Sequence, residues 1–278
     1  MSENRFNQIL ILDSIPSGEL NTAKRLREDM DVYASAYKRK RELNIKYVRT
    51  DNRNDFVCEL IHSQGRAWAD GVIPLLHIEC HGDEDGLELA DGSGMSWGDL
   101  YPLLRELNIA TRFNLLIAVS ACCGAATMRT ANATKLAPFW GLIGPTKNMY
   151  PDELERAFGA LYLALLRTKS SKESMAAMDE AQKNGDWIRT TAMKVFQDIW
   201  RGYKKYHCTP EALHDRSAAI LNAPANAGRN LTVEQVEVLI RQREQDLLHR
   251  YWKDFFMHDL FPECQARFPL SDSAQLPV

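Results

Sequence analysis

Long apolar runs are absent from this 278-residue chain. No stretch approaches the roughly 18 consecutive apolar residues that a bilayer-spanning helix requires, so no membrane partner is expected. An excess of positive charge is also absent: 34 Lys and Arg stand against 37 Asp and Glu, a net charge of -3. A chain so balanced has no electrostatic footprint for nucleic acid or an anionic membrane. The one basic run, Lys38-Arg39-Lys40-Arg41, is short and reads as a solvated face or loop. The opening MSENRFNQ lacks the basic-then-apolar pattern of a secretory signal, so a cytoplasmic protein is expected. Its six cysteines, at 58, 80, 122, 123, 208 and 264, follow no secreted disulfide framework. In a reducing compartment each is a thiol: core filler, ligand or nucleophile. Neither a Gly-x-Gly-x-x-Gly fingerprint nor a Walker loop follows the first strand, which argues against a nucleotide-binding domain. Internal repeats and low-complexity tracts are lacking too.

What is present is an ordinary globular composition, 45% hydrophobic and 26% charged, enough for one large domain or one domain with an extension. Apolar runs predict strands at 8–12, 45–48, 73–78, 113–119 and 140–143. Between them, helical periodicity covers 20–30, 55–68, 97–107 and 151–167. Ser96 reads as the N-cap of the third helix with Asp99 in its first turn, and Pro151, Asp152 and Glu153 open the fourth. Alternation of this kind predicts an α/β fold, a parallel sheet flanked by helices. Beyond about residue 170 the pattern becomes helical: 174–183, 187–205, and one long helix over 232–261 with a Thr232/Gln235 capping box. Residues 209–230 read as a looser connection. The expected organisation is an α/β domain over 1–170 and an α-helical C-terminal extension over 171–278, packed on the core or used for a partner.

Two strands end abruptly. The apolar run to Ile78 closes on Cys80-His81-Gly82 followed by Asp83, Glu84 and Asp85, and the fourth strand closes on Ser120-Ala121-Cys122-Cys123-Gly124. In parallel sheets, ligands and reacting groups gather at the carboxyl ends of strands. A thiol there, with its own amide free, supplies both a nucleophile and an oxyanion donor. His81 supplies the proton shuttle, and the Gly82 amide the second oxyanion donor. Blander readings apply elsewhere: His77 lies inside the apolar run and reads as structural, while Cys80 points away from His81 if the strand continues. Cys58, Cys208 and Cys264 read as packing. Zinc on Cys80, His81, Cys122 and Cys123 is disfavoured, because neither pair has Cys-x2-Cys spacing and adjacent strand residues diverge. No metal and no cofactor is expected. Asp83, Glu84 and Asp85 are a solvated turn or, functionally, an acidic wall for basic substrate.

A strand ending in His-Gly, then a strand ending in Ala-Cys with glycine two places on, resembles the caspase-like cysteine peptidases. Their cysteine pattern is Gln-Ala-Cys-x-Gly with a histidine about 50 residues earlier; here His81 precedes Cys122 by 122 minus 81, or 41 residues. The chain is most similar to the CHAT branch, which includes the separase-like proteases. The shared features are Cys80-His81-Gly82, the segments 86–89 and 97–100, Val119-Ser120-Ala121-Cys122, and 144–162. The resemblance covers 8–167 loosely and 73–167 well, and leaves out the helical tail. It implies a caspase-like fold and a cysteine endopeptidase with a His81–Cys122 dyad, oxyanion donors at Gly82 and Cys122, and Asp83, Glu84 and Asp85 as substrate-binding groups. Ser120 stands where caspases have glutamine, so their preference for aspartate is not implied, and Arg or Lys at P1 is expected. A protein substrate, an activating or sensor protein, and a place in bacterial anti-phage defence or regulated cell death are family implications. The alternative is a non-proteolytic interaction module on the same scaffold.

Overall fold

The first apolar run forms a strand buried along its whole length, β1 (Gln8–Asp13), and a helix, α1 (Thr22–Ala36), returns the chain to the parallel strand β2 (Asn44–Arg49). The computed structural model describes residues 5–37, 43–182, 186–226 and 230–270. The basic run at 38–41 lies outside them. Helix α2 (Arg53–Asp70) starts at Asn52, whose side chain accepts from the Asp55 amide. It stops at Gly71, where φ is 66° and a side chain would be strained. Strand β3 (Pro74–Glu79) follows, buried throughout, as its continuous apolar run predicts.

A small antiparallel sheet then interrupts the α/β rhythm: β4 (His81–Gly82), β5 (Gly86–Glu88) and β6 (Gly94–Ser96). Helix α3 (Trp97–Ala110) is capped by Ser96, whose hydroxyl accepts from the Asp99 amide at 3.1 Å. Strand β7 (Leu116–Ser120), a 3₁₀ turn over Gly124–Thr130, strand β8 (Gly141–Pro145), helix α4 (Pro151–Thr168) and helix α5 (Ser171–Ala181) complete the core. Strand β9 (Trp187–Thr191) joins β8 in antiparallel register, giving a six-stranded sheet of order β2-β1-β3-β7-β8-β9. The α/β fold with a mostly parallel sheet is as expected. The antiparallel last strand is not.

Right-handed crossovers fix the layers. The β1-to-β2 connection runs one way along the sheet, and the β2-to-β3 and β3-to-β7 connections run the other, so α1 lies on one face and α2 and α3 on the opposite one. Packing agrees: Ile9, Ile11, Leu26, Met30, Phe158 and Tyr162 share one buried cluster. The direction reverses between β1 and β3. The connections leaving their carboxyl ends therefore run to opposite faces of the sheet, the position where open α/β sheets hold ligands.

The chain divides into two compact units, one of Glu3–Ala131 with Pro138–Ala192, the other centred on Met193 onward with Asn132–Ala137. The division at residue 170 read from sequence therefore moves to 192, because α5 packs on α4 and β9 is a sheet strand. The reading of 187–205 as helix is corrected in its first five residues: the open edge of β8 claims Trp187–Thr191, whose β-branched residues suit a strand. Only then does α6 (Ala192–His207) begin. The looser connection read over 209–230 is instead helical in its first part, α7 (Pro210–Asn222), with Thr209 as N-cap and Pro210 at its first position; a 3₁₀ turn (Pro224–Asn226) follows, and 227–229 lie outside the described residues. Its prolines flank the helix and do not break it. The long helix read over 232–261 is two, α8 (Val233–Gln242) and α9 (Glu244–Phe255), interrupted at Arg243 and followed by α10 (Glu263–Arg267). The Thr232/Gln235 capping box forms as read. Within this unit Phe196, Trp252, Phe255, Phe256 and Phe268 interlock at ring separations of 4.5–5.8 Å for the nearest pairs, and the Trp252 indole donates to the Phe268 carbonyl.

Candidate active site

Three strands deliver the site. Parallel pairing of β3 with β7 sets Glu79 opposite Ser120, and the Cys80 amide still donates to the Ser120 carbonyl at 3.4 Å. His81 and Cys122 each lie two residues beyond that last pair, so the register brings them to the same level. Contact between the strand ends is close: a Cβ on Gly82 would meet the Cys122 carbonyl at 3.0 Å and the Ala121 Cβ at 3.2 Å. Only glycine allows this approach without moving one strand end. Gly124 is equally constrained, since a Cβ there would lie 2.8 Å from the Val119 carbonyl.

The imidazole of His81 is half exposed, and its Nε2 lies 2.9 Å from a carboxylate oxygen of Glu19. Sequence reading missed Glu19, which sits in the loop leaving β1. That loop is anchored at both ends. Asp13, fully buried at the tip of β1, accepts from the Ile15 amide, from Asn21 Nδ2 at 2.7 Å and from the Tyr47 hydroxyl, and pairs with Arg49 at 3.1 Å. Burial, then the bond to Asp13, pushes the Tyr47 phenol up to about 12. Thr22, the first residue of α1, donates to Glu79 at the tip of β3. Glu19 is thus held against His81, 62 residues away in sequence, where a motif in one segment of chain does not include it.

With Nε2 on Glu19, Nδ1 is the ring nitrogen left to exchange a proton. Among the described residues no hydrogen bond joins His81 to Cys122. The Cys122 sulfur instead faces the loop after β8: the Met149 amide donates to it at 3.4 Å, and the Met149 carbonyl lies at 3.6 Å. The next thiol, Cys123, reaches Asn148 Oδ1 at 3.5 Å. Cys123 holds a left-handed φ of 54°, uncommon for a residue with a side chain. Partial burial, then the neighbouring Cys122, Glu84 and Asp83, push its thiol above the ordinary range. Thiolate formation is disfavoured there. The Cys123 amide is occupied by the Lys147 carbonyl, whereas the Cys122 amide has no partner among the described residues. Gly82 pairs with Leu87, and because the adjacent Asp83 amide bonds Gly86, ladder alternation turns the Gly82 amide away from β5. Among the described residues both amides are therefore left without a partner, on adjoining strand ends.

The acidic turn divides its labour. Asp83 accepts from the Asp85 and Gly86 amides and shapes the turn. Glu84 pairs with Arg129 at 3.3 Å on the surface. Asp83, Asp85 and Glu88 line an open cavity of about 500 Å³ together with His81. Glu84 is not on it, and Glu88 was not foreseen.

His77 and Glu79 lie on one face of β3, both buried, with the imidazole bridging Glu79 at 2.7 Å and the Tyr162 hydroxyl at 2.9 Å. His77 is therefore a polar tie between β3 and α4, out of reach of any substrate. Cys80 is buried on the other side, and burial pushes its thiol far up. Cys264 is buried as expected, while Cys58 is exposed and Cys208 half-buried. Among the described residues no three His, Cys, Asp or Glu groups gather as metal ligands, and no helix is long and apolar enough to cross a membrane. Comparison with family models and with curated proteins returned no match for this chain.

Proposed function

We propose that this chain is a caspase-like, CHAT-type cysteine endopeptidase acting in the cytoplasm on a protein substrate. The observation that carries the reading is the convergence of His81-Gly82 and Cys122 at one level of neighbouring strand ends, with the Gly82 and Cys122 amides unpaired among the described residues and Glu19 on His81 Nε2. In the proposed reaction Cys122 passes its proton to His81 Nδ1, and the sulfur adds to the scissile carbonyl. The oxyanion is received by the Gly82 and Cys122 amides. The C–N bond breaks as His81 returns the proton to the leaving amine, leaving a thioester. Water, giving its proton to His81, then releases the acid and restores the thiol. Glu19 orients the ring and stabilises the imidazolium.

Asp83, Asp85 and Glu88 beside His81 favour a cationic side chain at P1, so Arg or Lys is expected over Asp, by about fivefold for each exposed carboxylate at about 4 Å. An activating partner and a role in bacterial defence rest on the family resemblance alone. The test is labelling by a peptidyl-Arg electrophile followed by mass spectrometry. Modification of Cys122, lost in Cys122→Ala and retained in Cys123→Ala, is the expected result. Modification of Cys123 in its place moves the nucleophile by one residue. A wild-type chain that no thiol-directed peptide labels is the non-proteolytic interaction module, a reading favoured by the missing His81–Cys122 bond.

A further inference from the structure

The helical unit carries a cavity of about 510 Å³ that the proposed peptidase chemistry does not use. Val236, Leu239, Ile240 and Leu247 form its apolar walls. Leu239 remains 41% exposed. Arg216, Arg243 and Arg250 stand around the slot with Tyr203.

None of these three arginines pairs with a carboxylate among the described residues. Arg216 donates to the Tyr203 hydroxyl at 3.2 Å and to the His207 carbonyl at 3.1 Å, Arg250 covers the Tyr251 ring, and Arg243 is exposed without an ion pair. The contrast with a second cavity in the same unit is informative. There Arg201 pairs with Asp198, Lys204 with Glu244 and Arg241 with Glu237, so the cations are largely compensated from within. The slot is an apolar floor under uncompensated guanidinium groups, in a chain whose net charge is -3. Guanidinium forks match carboxylates bidentately, and an apolar groove takes the i, i+3, i+4 face of a helix.

We propose that this slot is a docking site for an acidic amphipathic helix of a protein partner, its apolar face on Leu239, Ile240 and Leu247 and its carboxylates on Arg216, Arg243 and Arg250. Nucleic acid fits less well. The cations alternate with aliphatic side chains, Asp246 lies on the wall, and Tyr203 is the single aromatic ring lining the slot, too little for a stacking platform. The site stands independently of the peptidase reading.

The test uses the full-length chain and a fluorescein-labelled helical peptide of about 18 residues, with Leu on one face and Glu on the other. Fluorescence anisotropy should show saturable binding that weakens as salt rises. The Arg243→Glu, Arg250→Glu double variant should weaken it by about tenfold or more, and Leu239→Asp by a similar factor. Circular dichroism of each variant must match the parent; where Leu239→Asp does not fold, the arginine variant on the exposed surface carries the result. Three outcomes overturn the proposal: no binding by the parent chain, equal binding of a peptide with Gln for every Glu, or tighter binding of a single-stranded oligonucleotide that the same arginine substitutions abolish.

Discussion

The α/β unit and the helical unit reach burial by different chemistry, and they present opposite charge at their cavities. In the first, aliphatic strands such as Ile9-Leu10-Ile11-Leu12 are covered on both faces, and backbone hydrogen bonding sets every side chain's level. In the second, the core is a knot of Phe196, Trp252, Phe255 and Phe256, and no strand among the described residues fixes the register. The cavity beside His81 is lined by Asp83, Asp85 and Glu88, whereas the slot among α6 to α9 is ringed by Arg216, Arg243 and Arg250. A sheet delivers reacting groups to a defined place because pairing is exact to one residue. A bundle of short helices offers a broader surface, suited to covering a partner's side chains.

The strongest challenge to this contrast is His81→Ala. If the α/β unit holds the chemistry, loss of the proton shuttle should lower the cleavage or labelling rate by about 10²–10⁴-fold, while thermal melting is unchanged. His77→Ala should do the reverse, lowering the melting temperature by stripping a partner from buried Glu79 and Tyr162. Equal rate losses in both variants with unchanged melting would place His77 in the chemistry and remove the distinction.

In the helical unit the largest effect is expected on stability. Phe256→Ala removes a fully buried ring packed against those of Phe196, Trp252, Phe255 and Phe268 and should cost about 3–5 kcal/mol in chemical denaturation. Labelling of Cys122 should persist at temperatures where the native helical unit is retained.

Smaller effects sharpen the comparison. Glu19→Gln keeps size and exposure but removes the charge facing His81, and should slow Cys122 alkylation at neutral pH by about tenfold. An unchanged rate would reduce Glu19 to a surface contact of its half-exposed imidazole partner. Smallest is Thr232→Ala, which deletes the capping box of α8 and should cost about 1 kcal/mol with no change in labelling.

Much of this was legible along the chain. The apolar runs announced β1, β3 and β7 because a strand covered on both faces needs continuous hydrophobicity. Ser96 and Thr232 marked helix starts through bonds made within four residues, and Pro151 through its fixed backbone angle at the first helical position. The edge strand β9 was hidden because its five residues acquire strand character only by pairing with β8. The break at Arg243 was hidden for a related reason: no glycine or proline marks it, and hydrogen bonding is helical on both sides.

The site divides along the same line. Residue types fixed the candidates, since a glycine beside a histidine and a cysteine among small residues are visible one strand end at a time. Their meeting was decided by the β3–β7 register, which no local pattern encodes. Glu19 came into the site only through the reversal of chain direction between β1 and β3 and the clamps at Asp13 and Glu79; the Thr22–Glu79 and Glu19–His81 contacts join residues 57 and 62 apart in sequence. Local bonds are written in the sequence because their partners are neighbours. The acid facing His81 and the bare arginines of the slot exist only once distant segments are packed, because a carboxylate or guanidinium acquires or lacks a partner only in three dimensions.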